Sequence, residues 1–321
     1  MTINIQLGHI ARHTPQGAGA QGREAAIIDI AQDLLLRYLH EEGILDSVVI
    51  KGGTAIRKLY AGKEGRFSLD LDFSFAEIDV EQDDITLNFI EAIDGLRIGP
   101  FVYGINERRG KWYLTFESQF MAKSTLKSKL DFSPAPWLEP VKRGWSPLPI
   151  HRQYGEKPLP AIKTIRLEEN IAEKIARLNR ATLARDMYDL HWIMTTPTIA
   201  RTLDRPLIRR LAVLKIWTDT NGIHAGSTFW KPGHEGHPFD PEHWLRERDK
   251  EDFDAEDIGA LTVPVPTAKQ LSDSVRAHYE FLDMLDEDEL VIANSDERDR
   301  ALVIKTLKKL PTGRLTAYPL R

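Results

Sequence analysis

KGGTAIRKLY (Lys51–Tyr60), followed after five residues by RFSLDLDFSF (Arg66–Phe75), is the stretch whose reading decides the fold. In its second half Phe67, Leu69, Leu71, Phe73 and Phe75 alternate with Ser68, Asp70, Asp72 and Ser74. That period of two gives a strand one apolar and one polar face. In its first half the short β-branched run Asp46–Lys51 leads straight into Gly52-Gly53, and Thr54–Tyr60 is helical in character. The unit is therefore strand, glycine turn, helix.

Upstream, Glu24–His40 carries Ala26, Ile27, Ile30, Leu34 and Tyr38 at three-to-four spacing, which predicts an amphipathic helix. Residues His9–Arg23, rich in Gly, Ala, Gln and His, read as a loose arm, so 1–23 lies outside the packed part. Downstream come a helix over Ile85–Ile93 and strands over Arg97–Ile105, Lys111–Ser118 and Thr125–Ser133. The last strand sets Leu126, Leu130 and Phe132 against Lys127, Lys129 and Asp131. The expected first domain, 1–160, is α/β (α+β) with a mixed or antiparallel sheet. It ends in a loop over 134–160 that contains seven prolines. Helices over Glu168–Arg180, Thr182–Met194, Leu207–Thr218, Lys269–Leu285 and Asp296–Leu310 make 161–321 a mainly helical C-terminal domain.

The chain has 321 residues, 42% of them hydrophobic and 28% charged, and no cysteine. This excludes disulfides, thiolate metal sites and a cysteine nucleophile, and makes a reducing cytoplasm the default. No window approaches the uninterrupted apolar length of a membrane span, and Met1–Arg23 lacks the apolar core of a signal peptide. The net charge of -5 hides an asymmetry. Between Pro140 and Lys215 stand 15 Lys and Arg against 7 acids, so this segment is +8 and the remainder -13. A basic middle in an acidic chain fits a polyanionic partner; helix faces laced with ion pairs would give the same count.

The polar face of the central strand carries the chemistry. Two rises of about 3.3 Å set Asp70 and Asp72 roughly 6 to 7 Å apart on one face. Oxygen ligands so placed suit Mg²⁺, which takes one or two carboxylates and fills its other positions with water and phosphate oxygens. The glycines, lacking Cβ, let a triphosphate approach the backbone. Acids on one face beside a phosphate-type turn predict a phosphoryl- or nucleotidyl-transfer site.

These stretches, with LKSKLDFS (Leu126–Ser133), EENIAEKIARLNR (Glu168–Arg180) and ARDMYDLHWI (Ala184–Ile193), resemble the AbiEii/AbiGii-type nucleotidyltransferase toxins. That family includes the MenT-like toxins and belongs to the DNA polymerase β-like superfamily. The resemblance implies a minimal nucleotidyltransferase fold joined to a helical domain, with NTP as substrate and Mg²⁺ as cofactor. It implies metal ligation by Asp70 and Asp72, and activation of the attacking hydroxyl by Asp131. Lys174 would neutralise the triphosphate, assisted by Arg177 one helical turn on, and Asp186 would be activity-linked, ahead of Asp189. Gly52, Gly53, Thr54, Arg66, Ser68 and Arg177 are the nucleotide-binding candidates. A phosphate on Ser68, with about two negative charges beside Asp70, would repel the NTP.

The resemblance further implies the toxin half of a toxin–antitoxin or abortive-infection system, with a cognate antitoxin protein as partner and no membrane. In some members the acceptor is the 3′ end of tRNA, which would stop translation; the RNA would lie along 140–215. Two rivals stand beside this reading: transfer to a protein or small-molecule hydroxyl, and a non-catalytic nucleotide- or RNA-binding regulator. His224, His234, His237 and His243 with Asp240 lack the spacing of a zinc motif. Trp192, Trp217, Trp230 and Trp244 read as helical-domain core rather than base-stacking platforms.

Overall fold

The computed structural model describes residues 3–16, 18–121, 125–180, 183–218, 258–293, 300–311 and 314. The chain divides into two units: Met1–Pro136 with Pro140–Thr164 and Gly259–Pro264, and Trp137–Glu139 with Ile165–Ile258 and Val265–Arg321. The first unit thus runs to Thr164, past the expected boundary at 160, and takes in a short segment from much later in the chain.

In the first unit, helices α1 (Leu7–His13) and α2 (Gly19–Glu41) precede strand β1 (Val48–Lys51), which enters α3 (Gly52–Ile56). The helix widens to π geometry over Arg57–Ala61. Then follow β2 (Leu71–Phe75), α4 (Gln82–Ile93), β3 (Arg97–Ile98), β4 (Phe101–Arg108), β5 (Lys111–Ser118), β6 (Leu126–Ser133), β7 (Val141–Arg143) and β8 (Ile162–Thr164). All eight strands form one sheet in the order β3-β4-β5-β6-β2-β1-β8-β7. Pairs β2–β6 and β1–β8 are parallel and the others antiparallel, so the sheet is mixed, as expected.

Register explains the core. Ile50 pairs with Phe73 and Phe73 with Phe132, so one face carries a continuous apolar row. Phe73 lies 5.0 Å from the Phe89 ring of α4 and 5.9 Å from Phe132. Ile27, Ile30, Leu34 and Leu35 of α2 pack into the same core. A fully buried Phe or Leu contributes about 1.5–3 kcal/mol over an exposed one, which fixes the register.

Three expectations need correction. The loose arm contains helix α1, because Ile5 and Ile10 are buried in the core cluster and anchor it. The strand alternation holds only from Leu71. Phe67 leaves the sheet for a separate cluster with Ala25 and Ala26, its N–H bonded to the carbonyl of Ala260 at 2.9 Å, while Leu69 is 45% exposed. The proline-rich stretch 134–160 also holds an edge strand, β7, and a 3₁₀ turn, Pro149–Gln153.

The second unit is helical in its described residues: α5 (Leu167–Arg180), α6 (Ala184–Thr195), α7 (Pro197–Ala200) and α8 (Arg205–Thr218), then Ala268–Tyr279, Glu287–Ala293 and Arg300–Leu307. Trp192 and Trp217 are buried there, in keeping with the core reading. Trp230, Trp244 and the His224–His243 group lie outside the described residues. Among the described residues no helix is long and apolar enough to cross a membrane.

Candidate active site

The strand–turn–helix junction builds the site from backbone outward. Gly52 adopts φ +70°, a conformation an L side chain enters only with strain. A Cβ there would also collide with the carboxylate of Asp72, so that carboxylate lies directly against the Gly52 backbone. At Gly53 a Cβ would collide with the guanidinium of Arg66 and stand 3.2 Å from Ser68 Oγ. The two glycines thus have separate tasks: one admits the acid, the other the arginine.

Strand pairing extends this face. Lys51 pairs with Asp72 across β1–β2, and Asp72 with Asp131 across β2–β6. Residues in register share a face, so Lys51, Asp72 and Asp131 form a row opposite the Ile50–Phe73–Phe132 row. Asp70 precedes β2 by one residue. Asp70 and Asp72 are half-buried, and the Asp131 side chain is 41% exposed. Asp131 pairs with Lys129 two residues back on its own strand.

Thr54 and Ser68 are both buried beside the turn. Thr54 is fully buried and its hydroxyl donates to the carbonyl of Asp70, tying the helix after the turn to the segment before β2. The carbonyl of Leu69 accepts from Ser128 Oγ and, at 3.1 Å, from Gln32 Nε2. These bonds hold Leu69 and Asp70 in place although they lie outside the sheet. Ser68 is buried.

Behind this junction lies a buried ionic cluster that sequence reading missed. Lys58 Nζ reaches Asp29 Oδ1 at 3.0 Å and Asp33 Oδ1 at 2.6 Å, and Arg57 Nη2 reaches Asp29 Oδ2 at 3.3 Å. Arg57 also donates to the carbonyls of Gly62 and, at 2.8 Å, Gly65, and stacks 4.1 Å from the Phe67 ring centre. Tyr154 donates to Asp33 at 2.7 Å, and His13 Nε2 lies 2.9 Å from Asp29. Burial works to raise the Asp29 carboxyl, but Lys58, Arg57 and His13 overcome it and hold it well below the ordinary range. Asp33 is lowered likewise, by Lys58 and His151 against burial. The cluster clamps α2 to the segment that follows the glycine turn. Its sequence signal was an Asp29–Asp33 pair at i,i+4 on a helix otherwise rich in apolar residues.

The candidates of the second unit form their own cluster. Lys174 Nζ lies 2.9 Å from Asp186 Oδ1 and 2.8 Å from Asp189 Oδ2, all three side chains being buried. Arg177 grips Asp186 with two nitrogens at 2.7 Å each, while its side chain stays 35% exposed. Lys174 is thus an interior lysine held between two carboxylates. Asp186 and Asp189 both serve as ion-pair partners.

The basic stretch is less free than its count suggests. Lys215 pairs with Glu169 and Glu173 at 2.9 and 3.2 Å. Burial works to lower the Lys215 ammonium, but these glutamates raise it. Arg209 pairs with Glu289 at 2.6 Å, Arg210 with Asp286 at 2.9 Å and Arg166 with Glu168 at 3.3 Å. Acids from Asp286 and Glu289, outside the segment, consume part of its excess charge.

Among the described residues no three His, Asp or Glu side chains gather as a ready-made metal site. The carboxylates of the half-buried Asp70 and Asp72 nevertheless fit Mg²⁺ in donor chemistry, since it needs only one or two carboxylates when a triphosphate supplies further oxygens.

Among curated protein sequences none matches the chain. It is similar in structure to MenT4, the nucleotidyltransferase toxin Rv2826c of Mycobacterium tuberculosis H37Rv, at 35% sequence identity and a TM-score of 0.79, over 95% of this chain and 99% of that one. The family model of the nucleotidyl transferase AbiEii toxin, type IV toxin–antitoxin system, matches residues 33–287. With most of its length matched, the chain belongs to the AbiEii family and is a nucleotidyltransferase toxin of a type IV toxin–antitoxin system.

Proposed function

We propose that the chain transfers a nucleoside monophosphate from NTP to a hydroxyl at the 3′ end of tRNA in a Mg²⁺-dependent reaction, and so inhibits translation. Membership of the family brings an NTP substrate and a cognate antitoxin. What carries the reading is the paired close approach at the turn: Asp72 against Gly52 and Arg66 against Gly53. The groups proposed to bind anion and metal thus approach one backbone bend from the 66–72 segment.

In this reading the Gly52-Gly53 backbone and the Arg66 guanidinium bind the triphosphate, with Ser68 beside Arg66. Asp70 and Asp72 hold Mg²⁺, which when bound neutralises phosphate charge and fixes the phosphates for in-line displacement. Asp131, oriented by Lys129, receives the proton of the attacking hydroxyl. The hydroxyl oxygen bonds to the α-phosphorus as the bond to the β-phosphate bridge breaks, and pyrophosphate leaves. Thr54 acts as a positioning residue through the carbonyl of Asp70. In the second unit Asp186 orients Lys174 and Arg177. The half-exposed Arg177 guanidinium is the member of that cluster able to meet a phosphate, and Lys174 supplies positive charge from within.

The test is incubation of the chain with Mg²⁺, each α-³²P NTP in turn and total tRNA, run on a denaturing gel beside Asp70→Ala. Label entering tRNA with the wild type and not with the variant is expected. Label entering protein instead would move the acceptor to a protein hydroxyl. No turnover with any acceptor would overturn transfer in favour of binding alone.

A further inference from the structure

A cavity of about 480 Å³ in the first unit lies between α1 and the 3₁₀ turn Pro149–Gln153. Its walls include His9, Arg12 and His13 on one side and Ile150 and Arg152 on the other. Pro149 and Gln153 complete the lining, which holds no carboxylate among the described residues.

Two arginines facing one space repel each other unless an anion joins them, whereas His13 is already engaged by Asp29 at 2.9 Å. Among the described residues neither Arg12 nor Arg152 has a carboxylate partner, and both are exposed. This contrasts with Arg57, Arg177, Arg209 and Arg210, which each engage an acid. The Gln6 backbone N–H donates to His9 Nδ1 at 3.1 Å, which fixes the neutral ring with its proton on Nε2, a donor. Gln153 adds an amide donor.

Size and polarity narrow the ligand. Cavities that hold small organic molecules run to about 300–1,000 Å³, so inorganic phosphate alone would leave most of this one unfilled. Ile150 and Pro149 give it an apolar wall that a base or sugar can cover. The inner wall also touches the transfer site indirectly: His13 meets the Phe67 ring edge-on at 5.3 Å, and Phe67 sits in sequence between Arg66 and Ser68.

We propose that this cavity binds a small phosphomonoester of nucleoside-monophosphate size, its phosphate held by Arg12 and Arg152 and its organic part lying along Pro149 and Ile150. The site is separate from the proposed transfer site and does not depend on that reading.

The test is calorimetric titration of the full chain in EDTA with 5′-AMP and, separately, inorganic phosphate. The same titrations use an Arg12→Ala/Arg152→Ala variant and an Asp70→Ala/Asp72→Ala variant. Thermal melts confirm that the exposed arginine substitutions leave the fold intact. 5′-AMP should bind the wild type and the aspartate variant alike, and bind the arginine variant at least about tenfold more weakly, as loss of charge-assisted hydrogen bonds requires. Phosphate alone should bind more weakly than 5′-AMP. Binding unchanged by the arginine substitutions, binding lost with Asp70 and Asp72, or no binding at millimolar ligand would each overturn the proposal. Equal binding of phosphate and 5′-AMP would overturn its size argument.

Discussion

Asp70, Asp72 and Asp131 differ from Asp29, Asp33, Asp186 and Asp189 in what surrounds them. The first three are half-buried, Asp72 and Asp131 in register on the polar side of the central strands and Asp70 just before β2, with Asp72 pressed against a glycine backbone. The other four have side chains at most 2% exposed, and each lies within 3.0 Å of a buried lysine. A buried carboxylate survives only if a cation compensates its lost hydration, and then its charge is committed to holding elements together. A half-exposed carboxylate keeps water-facing oxygens and with them the capacity to take a ligand. The same residue type fastens the chain in one setting and, in the proposed reaction, does chemistry in the other.

The widest separation between the two groups should come from activity. Asp70→Ala should cut nucleotidyl transfer by about a hundredfold or more, the scale of losing a principal charge-stabilising group, with the urea midpoint of unfolding unmoved. A variant that transferred normally would break the distinction. Next, Lys174→Met strands Asp186 and Asp189 without their lysine, and Lys58→Met does the same to Asp29 and Asp33. Each should lose about 3–5 kcal/mol of stability in equilibrium denaturation; a loss below about 1 kcal/mol would mean the buried clusters are not what holds these elements. Gly52→Ala should cost about 1–2 kcal/mol for the left-handed backbone and lower transfer as well, since its Cβ would displace the Asp72 carboxylate. Loss of stability with full transfer would detach the glycine from the site. Thr54→Val removes one hydrogen bond to the Asp70 carbonyl and should cost about 1 kcal/mol.

The pH dependence sharpens the buried side of the contrast. The Asp29 and Asp33 carboxyls are lowered in the folded chain. Their stabilisation is therefore complete above the unfolded aspartate value of about 3.9 and is lost as pH falls through the folded values. Urea midpoints followed downward from neutral pH should hold until about pH 4 and then drop. A midpoint that declined from about pH 6 would point to histidine titration instead.

Local periodicity made much of the fold legible. Strand β5 spans the expected Lys111–Ser118, and the alternation of Leu71, Phe73 and Phe75 marks the buried face of β2. Gly52 and Gly53 were legible as a turn, while the reason for each, an acid at one and an arginine at the other, needed three dimensions. What the pattern could not give were pairings between distant residues. Phe67 fits the alternation but leaves the sheet, because Arg57 and the Ala25–Ala26 surface of α2 offer it another place. Asp29 and Asp33 would pass as the polar face of an amphipathic helix, yet they are buried because Lys58, 25 and more residues along, reaches both. Lys174 showed the same blindness: its motif was readable, its burial between two aspartates was not.

The most direct measurement compares Asp72→Asn with Asp189→Asn, nearly isosteric changes that each remove one charge, for both transfer rate and unfolding free energy. Asp72→Asn should abolish label transfer and leave the unfolding free energy unchanged. Asp189→Asn should lower the unfolding free energy by about 3 kcal/mol while the folded fraction still transfers label. Transfer surviving in Asp72→Asn, or vanishing in an Asp189→Asn chain of undiminished stability, would contradict the division between acids that bind and acids that fasten.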